Sequence, residues 1–172
     1  MAAPARVPEP LPPEIHRIEG LRDFQARVRS TIERVAERGD PQILLCDADF
    51  AAWPLGEPRV VAALERWARP RRRMLMLGAS FDEIVRLHPR WVAWRRSWPE
   101  LVECRSPSDV DPSQCPSLLL VPTGPITLRL HDRERFRGIW SSVPSDAVSA
   151  REAMDAAAER SVEAFAVTTL GL

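Results

Sequence analysis

The chain has 172 residues, 45% of them hydrophobic, enough for one domain with a sizeable core. Formal net charge is zero, so bulk electrostatics give no pull toward nucleic acid or membrane. All 24 basic residues are arginine, a bias that reads first as genomic base composition, and the missing lysine excludes Schiff-base chemistry, a lysine base and the Gly-Lys-Ser/Thr phosphate loop.

Residues 1–20 carry prolines at 4, 8, 10, 12 and 13 and read as a flexible lead, with no apolar core of signal-peptide length. Residues 21–172 read as a single α/β domain. Leu21, Phe24, Val28, Ile32 and Val35 recur at helical spacing, and Gly39 marks the stop. "PQILLCDAD" is a continuous apolar run ending in acids, the pattern of a buried strand. "EPRVVAALERWARP" predicts a second helix ended by Pro70, and "RRRMLMLGAS" a second buried strand. "FDEIVRLHPRWVAWRRSWPE" predicts a third helix, with Ser80 as N-cap, Asp82 and Glu83 in its first turn, and a split at Pro89. "LVECRS" predicts a third strand, and "CPSLLLVPTGPITLRL" a hairpin turning at Gly124-Pro125, with Leu118, Leu120, Ile126 and Leu128 on one buried face. "FRGIWSSV" adds a further strand, and "SAREAMDAAAERSVEAFAVTTLGL" closes the chain as a helix with Ala153, Ala157, Val162 and Phe165 among its apolar positions. Strands alternating with helices predict an α/β fold: a mixed, mostly parallel sheet flanked by helices.

Asp47 and Asp49 fall at the carboxyl end of the first strand, where ligands of open α/β sheets collect, and their spacing puts both carboxylates on one face. No third acid or phosphate loop accompanies them, so no metal and no cofactor is expected. His16, His88 and His131 are far apart and match no metal or nucleophile spacing. Cys46, Cys104 and Cys115 form no closely spaced metal pair; Cys46 and Cys104 sit in apolar runs as small buried hydrophobes. A reducing, cytoplasmic setting without a membrane span is expected.

The arginines are concentrated. Residues 59–105 hold eleven arginines against five acids. Arg66, Arg69, Arg71, Arg72 and Arg73 crowd the end of the second helix, where they complement its dipole. Arg90, Arg95 and Arg96 interleave with Trp91, Trp94 and Trp98, a pairing that anchors interfaces or holds phosphates and bases. Leu87, Trp91, Trp94 and Trp98 also recur as an apolar helical stripe, which faces the core before it faces a ligand.

Over about residues 40–170, "ILLCDADFAAW" followed by "VVAALERWARPRRRMLMLGAS" and the late hairpin resembles half of a phospholipase D-like domain. The likeness is to small bacterial domains of unknown function in that superfamily, which lack its His-x-Lys-x4-Asp motif. Aligning "LLLV" puts Cys115, Ser117 and Pro122 in the motif positions; aligning the nearby histidine puts His131, Arg133 and Gly138 there. Neither set is an active site. The resemblance implies a pseudoenzyme and, by analogy, dimerisation. The expected function is a non-catalytic binding or scaffolding domain, with the arginine/tryptophan-rich surface as its interface. A protein partner or self-association is expected, an anionic nucleic acid or lipid headgroup being the other ligand class. The alternative is a small metal-assisted phosphoesterase using Asp47, Asp49 and His131.

Overall fold

The computed structural model describes residues 12–166. The lead residues 1–11, and 167–172 of the predicted closing helix, lie outside them. Among the described residues, eight strands form one sheet in the order β1-β7-β6-β5-β2-β3-β4-β8. They are β1 (Ile15–Glu19), β2 (Gln42–Asp47), β3 (Arg73–Gly78), β4 (Val102–Pro107), β5 (Leu118–Val121), β6 (Ile126–Asp132), β7 (Arg137–Ser141) and β8 (Ser161–Glu163). The helices are α1 (Leu21–Arg38), α2 (Pro58–Trp67), α3 (Asp82–Leu87), α4 (Pro89–Arg96) and α5 (Pro144–Glu159).

The fold is α/β with helices on both faces of a mixed sheet, but the sheet is mostly antiparallel. Only β2–β3 and β3–β4 pair in parallel, through crossovers at α2 and at α3–α4. The other five pairings are antiparallel. Periodicity identifies a buried strand and says nothing about its neighbour: β5 arrives beside β2 running the opposite way, with Leu44 opposite Leu120 and Cys46 opposite Leu118. Two more antiparallel strands come from segments read otherwise. Ile15–Glu19, placed by the sequence in the lead, pairs with β7, and only Ile18 of its five residues is buried. A charged edge strand of that kind gives almost no apolar signal.

The closing helix is also shorter than its composition suggests. It ends at Glu159, and the chain then returns as β8 along the edge of β4. Ser161 fixes this exit: its hydroxyl donates to the Ala158 carbonyl at 2.6 Å and accepts from Arg105 Nε at 2.8 Å. Ala153 and Val162, expected on an apolar face, are exposed.

Most other elements follow their pattern. On α1, Phe24, Val28, Ile32 and Val35 are buried, and Gly39 adopts φ 73° to close the helix with its N–H on Val35 O. The N-cap of α3 is Phe81 and not Ser80, whose Oγ still accepts the Asp82 N–H, and Pro89 separates α3 from α4. One sheet face carries Ile43, Leu45, Met74, Met76, Leu119, Ile126, Leu128 and Trp140 and packs against α1 to α4. The opposite face carries Leu44, Cys46, Leu77, Leu118 and Leu120 beneath Ala147, Ala150 and Met154 of α5. Leu118 and Leu120 therefore lie on the face opposite Ile126 and Leu128, because β5 is central and buried on both sides.

Where β6 pairs with β7 the register shifts between Leu130 and Asp132, and Gly138 sits opposite. A Cβ there would lie 2.1 Å from the Arg129 carbonyl oxygen and 2.8 Å from Leu130 Cα. These are backbone atoms of a paired strand and cannot turn aside. Gly138→Ala is expected to cost roughly 1–3 kcal/mol by overpacking. Urea unfolding checks this; an unchanged midpoint would mean that the bulge relaxes freely.

Candidate functional site

Two regions gather the residues that the sequence singles out. The first is a cleft of about 470 Å³ at the carboxyl end of β2. Asp47 ends β2 and is 3% exposed. Its Oδ2 accepts the N–H groups of Phe50 (2.8 Å) and Asp49 (3.2 Å), so the carboxylate shapes its own loop. Its Oδ1 accepts the Ser117 hydroxyl, which the start of β5 brings alongside. Arg133, just past β6, reaches both acids, at 3.4 Å to Asp47 and 3.1 Å to Asp49. Asp49 also accepts the Ala51 N–H at 2.9 Å. Phe24, Trp53, Leu130 and Phe136 supply apolar wall.

Asp47 and Asp49 thus converge as expected, but His131 does not join them. The strand alternation that turns Leu130 into the cleft turns His131 away. His131 instead borders a separate, open depression with Arg17, Arg137 and Ile139. The three-residue constellation of the phosphoesterase alternative is not assembled. Among the described residues, no group of three or more His, Cys, Asp or Glu side chains could hold a metal. The two residues that do complete the cleft, Ser117 and Arg133, are the middle positions of the two motif alignments. Their meeting at Asp47 depends on the β2–β5–β6 pairing, which no local pattern encodes.

His88 and His16 have structural surroundings. His88 is buried and donates from Nε2 to Phe50 O at 2.9 Å, holding Phe50 at φ 59°. His16 lies against Trp140, ring centres 5.5 Å apart.

The second region is the arginine cluster at the amino-terminal ends of β3 and β4. Arg69, Arg71 and Arg72 border a groove of about 220 Å³ with Trp98, Pro99 and Glu100. Some of this charge is occupied locally. Arg69 donates to Ala68 O at 2.6 Å at the end of α2, and Arg72 donates to Gly39 O at the end of α1. Arg66, Arg71, Arg73, Arg90 and Arg96 are exposed, and none of them forms an ion pair among the described residues. Arg95 is the exception. It is 5% exposed, lies 4.5 Å from the Phe165 ring centre and 6.0 Å from that of Trp91, and burial lowers its pKa. The stripe it interrupts splits the same way: Trp91 and Trp94 are core, Trp98 is half-buried at the groove, and Leu87 is exposed.

The architecture defines an α/β domain with a mixed eight-stranded sheet and an apolar-walled cleft. No protein-family model and no curated protein sequence matches the chain. In three dimensions it is similar to TrmBL2, an archaeal chromatin protein whose structure shows a novel mode of DNA binding. The TM-score is 0.62 at 15% identity, over 88% of this chain and 55% of that one. The chain therefore spans about half the length of the structure it resembles, and the likeness is one of fold.

These comparisons overturn the phospholipase D-like resemblance, and they lend no support to the half-domain, the bacterial origin or the pseudoenzyme reading that came with it. That resemblance rested on element order and hydrophobic pattern, without motif residues to carry it. Among the described residues no helix is long and apolar enough to cross a membrane.

Proposed function

We propose that this chain is a non-catalytic binding domain whose ligand is a nucleic acid, held through its phosphates by the arginine surface around Arg66, Arg69, Arg71, Arg72, Arg73, Arg90 and Arg96. The groove carries this reading: Arg69, Arg71 and Arg72, none of them in an ion pair among the described residues, border a half-exposed indole. Guanidinium groups hold phosphate oxygens in a fixed fork, and an indole offers a stacking face. The fold shared with TrmBL2, a DNA-binding chromatin protein, points the same way. Arg95 is left out of the surface because its head is stacked in the core. A catalytic reading of the cleft has less support, since Arg133 and backbone N–H groups already occupy the carboxylates.

Fluorescence anisotropy with a short mixed-sequence DNA duplex tests this across a salt series. Binding should weaken with salt, with a log-log slope of about −0.9 for each phosphate contacted. Arg66→Glu/Arg71→Glu removes two contacts and should weaken binding by at least about tenfold and flatten the slope by about two. Neither side chain donates a hydrogen bond among the described residues, so the fold should survive. Arg17→Glu, on the far end of the sheet, should change nothing. No binding at low salt would remove nucleic acid and leave a protein partner as the ligand class; equal binding by the double variant would remove the arginine surface as the binding site.

A further inference from the structure

The sheet face beneath α5 is packed over β2 and β5. Between α5 and strands β6 and β7 the same face is left open, as a pocket of about 220 Å³. Its floor is two cross-strand pairs, Thr127 opposite Ser141 and Arg129 opposite Ile139. Directly paired residues share a face, and Ile126 and Leu128, which alternate with them on β6, belong to the core on the other side. The wall is α5, which supplies Asp146, Ser149 and Ala150 at the i, i+3, i+4 spacing of one helix side.

Most polar groups around this pocket have nothing to bind. Thr127 is 7% exposed, and its Oγ1 has no hydrogen-bond partner among the described residues. A buried hydroxyl in that state is unfavourable, and the open space it borders is where a partner would sit. Arg129 and Asp146 carry opposite charges into the same pocket, yet neither forms an ion pair among the described residues. Asp146 is held in place: its Oδ2 accepts the Ser141 hydroxyl at 2.6 Å, and Ser141 Oγ accepts the Val143 N–H at 3.1 Å. Its Oδ1 and the Ser149 hydroxyl have no hydrogen-bond partner among the described residues.

We propose that this pocket binds a small aliphatic α-amino acid as its zwitterion, with the carboxylate on Arg129 and the ammonium group on Asp146. A plain anion would meet the Asp146 carboxylate, and a plain cation the Arg129 guanidinium. A ligand carrying both charges satisfies both, through charge-assisted hydrogen bonds. The Ser149 and Thr127 hydroxyls can donate to the ligand carboxylate. Ile139, 43% exposed, and Ala150 give an aliphatic side chain an apolar contact. Size limits the occupant: drug-sized ligands take pockets of about 300–1,000 Å³, and this one is smaller. The pocket shares no residue with the arginine groove, so the inference stands apart from the nucleic-acid reading.

Isothermal titration calorimetry on the whole chain at neutral pH tests this with L-alanine, L-valine and L-leucine. Isobutylamine and isovalerate are the controls, being valine without its carboxylate and valine without its ammonium group. At least one of the three amino acids should bind at millimolar concentration or below. Where L-valine binds, each control should bind about tenfold more weakly or worse, having lost one charge-assisted contact. Arg129→Gln should weaken the bound amino acid by about tenfold or more, and it should fold, because Arg129 makes no side-chain hydrogen bond or ion pair among the described residues. Thr127→Val keeps the side-chain shape and removes the unpartnered hydroxyl; it should weaken binding without lowering the unfolding midpoint. No heat with any of the three amino acids, isovalerate binding as tightly as L-valine, or unchanged binding by Arg129→Gln would each overturn the proposal. The wild-type titrations stand even if a variant does not fold.

Discussion

Trp91→Ala should cost about 3–5 kcal/mol, among the largest losses available to a single substitution in this chain. Trp91 is fully buried on α4, 6.1 Å from the Trp94 ring centre and 6.5 Å from that of Phe165, with the Arg95 guanidinium over its face. Truncation would open a cavity between α4, the core and the segment after β8, and Arg95 would lose one of its two aromatic neighbours. For a domain of this size the unfolding midpoint should fall by roughly 6–20 °C. Among the described residues the indole N–H of Trp91 has no hydrogen-bond partner, so its burial carries a desolvation cost. Trp91→Phe removes that N–H while keeping most of the ring, and should stay within about 1.5 kcal/mol of wild type. Trp98→Ala, at the half-buried end of the stripe, should be milder than Trp91→Ala. Equal losses at 91 and 98, read by urea denaturation, would contradict this division of the stripe between core and groove.

That division marks how far the sequence could be read. The spacing of Trp91, Trp94 and Trp98 predicts one apolar helical face, but α4 ends at Arg96, so Trp91 and Trp94 share that face and Trp98 lies beyond the helix. It cannot show that Phe165 comes back over Trp91, because Phe165 reaches it only after α5 ends early and β8 pairs with β4. The same limit separates the two candidate regions. The arginine cluster is local in sequence, so it was visible as a unit, apart from Arg95, whose burial depends on that returning segment. The cleft is assembled from β2, β5 and the turn after β6, segments separated by 70 and 86 residues. Asp47 and Asp49 were legible as acids ending a strand. Their partners Ser117 and Arg133 were visible only as residues in two rival alignments, and the phosphoesterase alternative took His131, not Arg133, as the third member. Strand alternation after Leu130 reverses that choice.

Asp47→Ala should be as damaging as Trp91→Ala, for a polar reason. A buried carboxylate is tolerated where its lone pairs are filled and a cation stands near, and Asp47 has the Ser117 hydroxyl, two backbone N–H groups and Arg133. Removing it strands several groups at once. The Phe50 N–H loses its acceptor in a loop already held at φ 59°, the buried Ser117 hydroxyl loses its partner, and Arg133 keeps only the half-exposed Asp49. Breaking a buried charged pair by deleting one member costs about 3–5 kcal/mol, and part of that loss should appear here because Arg133 itself remains 38% exposed. The expected total is about 3 kcal/mol, with the unpaired backbone and hydroxyl groups supplying most of it. Asp47→Asn separates the contributions. It keeps an oxygen for the Phe50 and Asp49 N–H groups and removes the attraction to Arg133, so it should lose clearly less than Asp47→Ala. Arg133→Ala should then be milder than either, since it removes the exposed partner and leaves the loop hydrogen bonds in place. If Arg133→Ala proves the most destabilising of the three by urea denaturation, the ion pair rather than the loop bonding holds this end of the sheet.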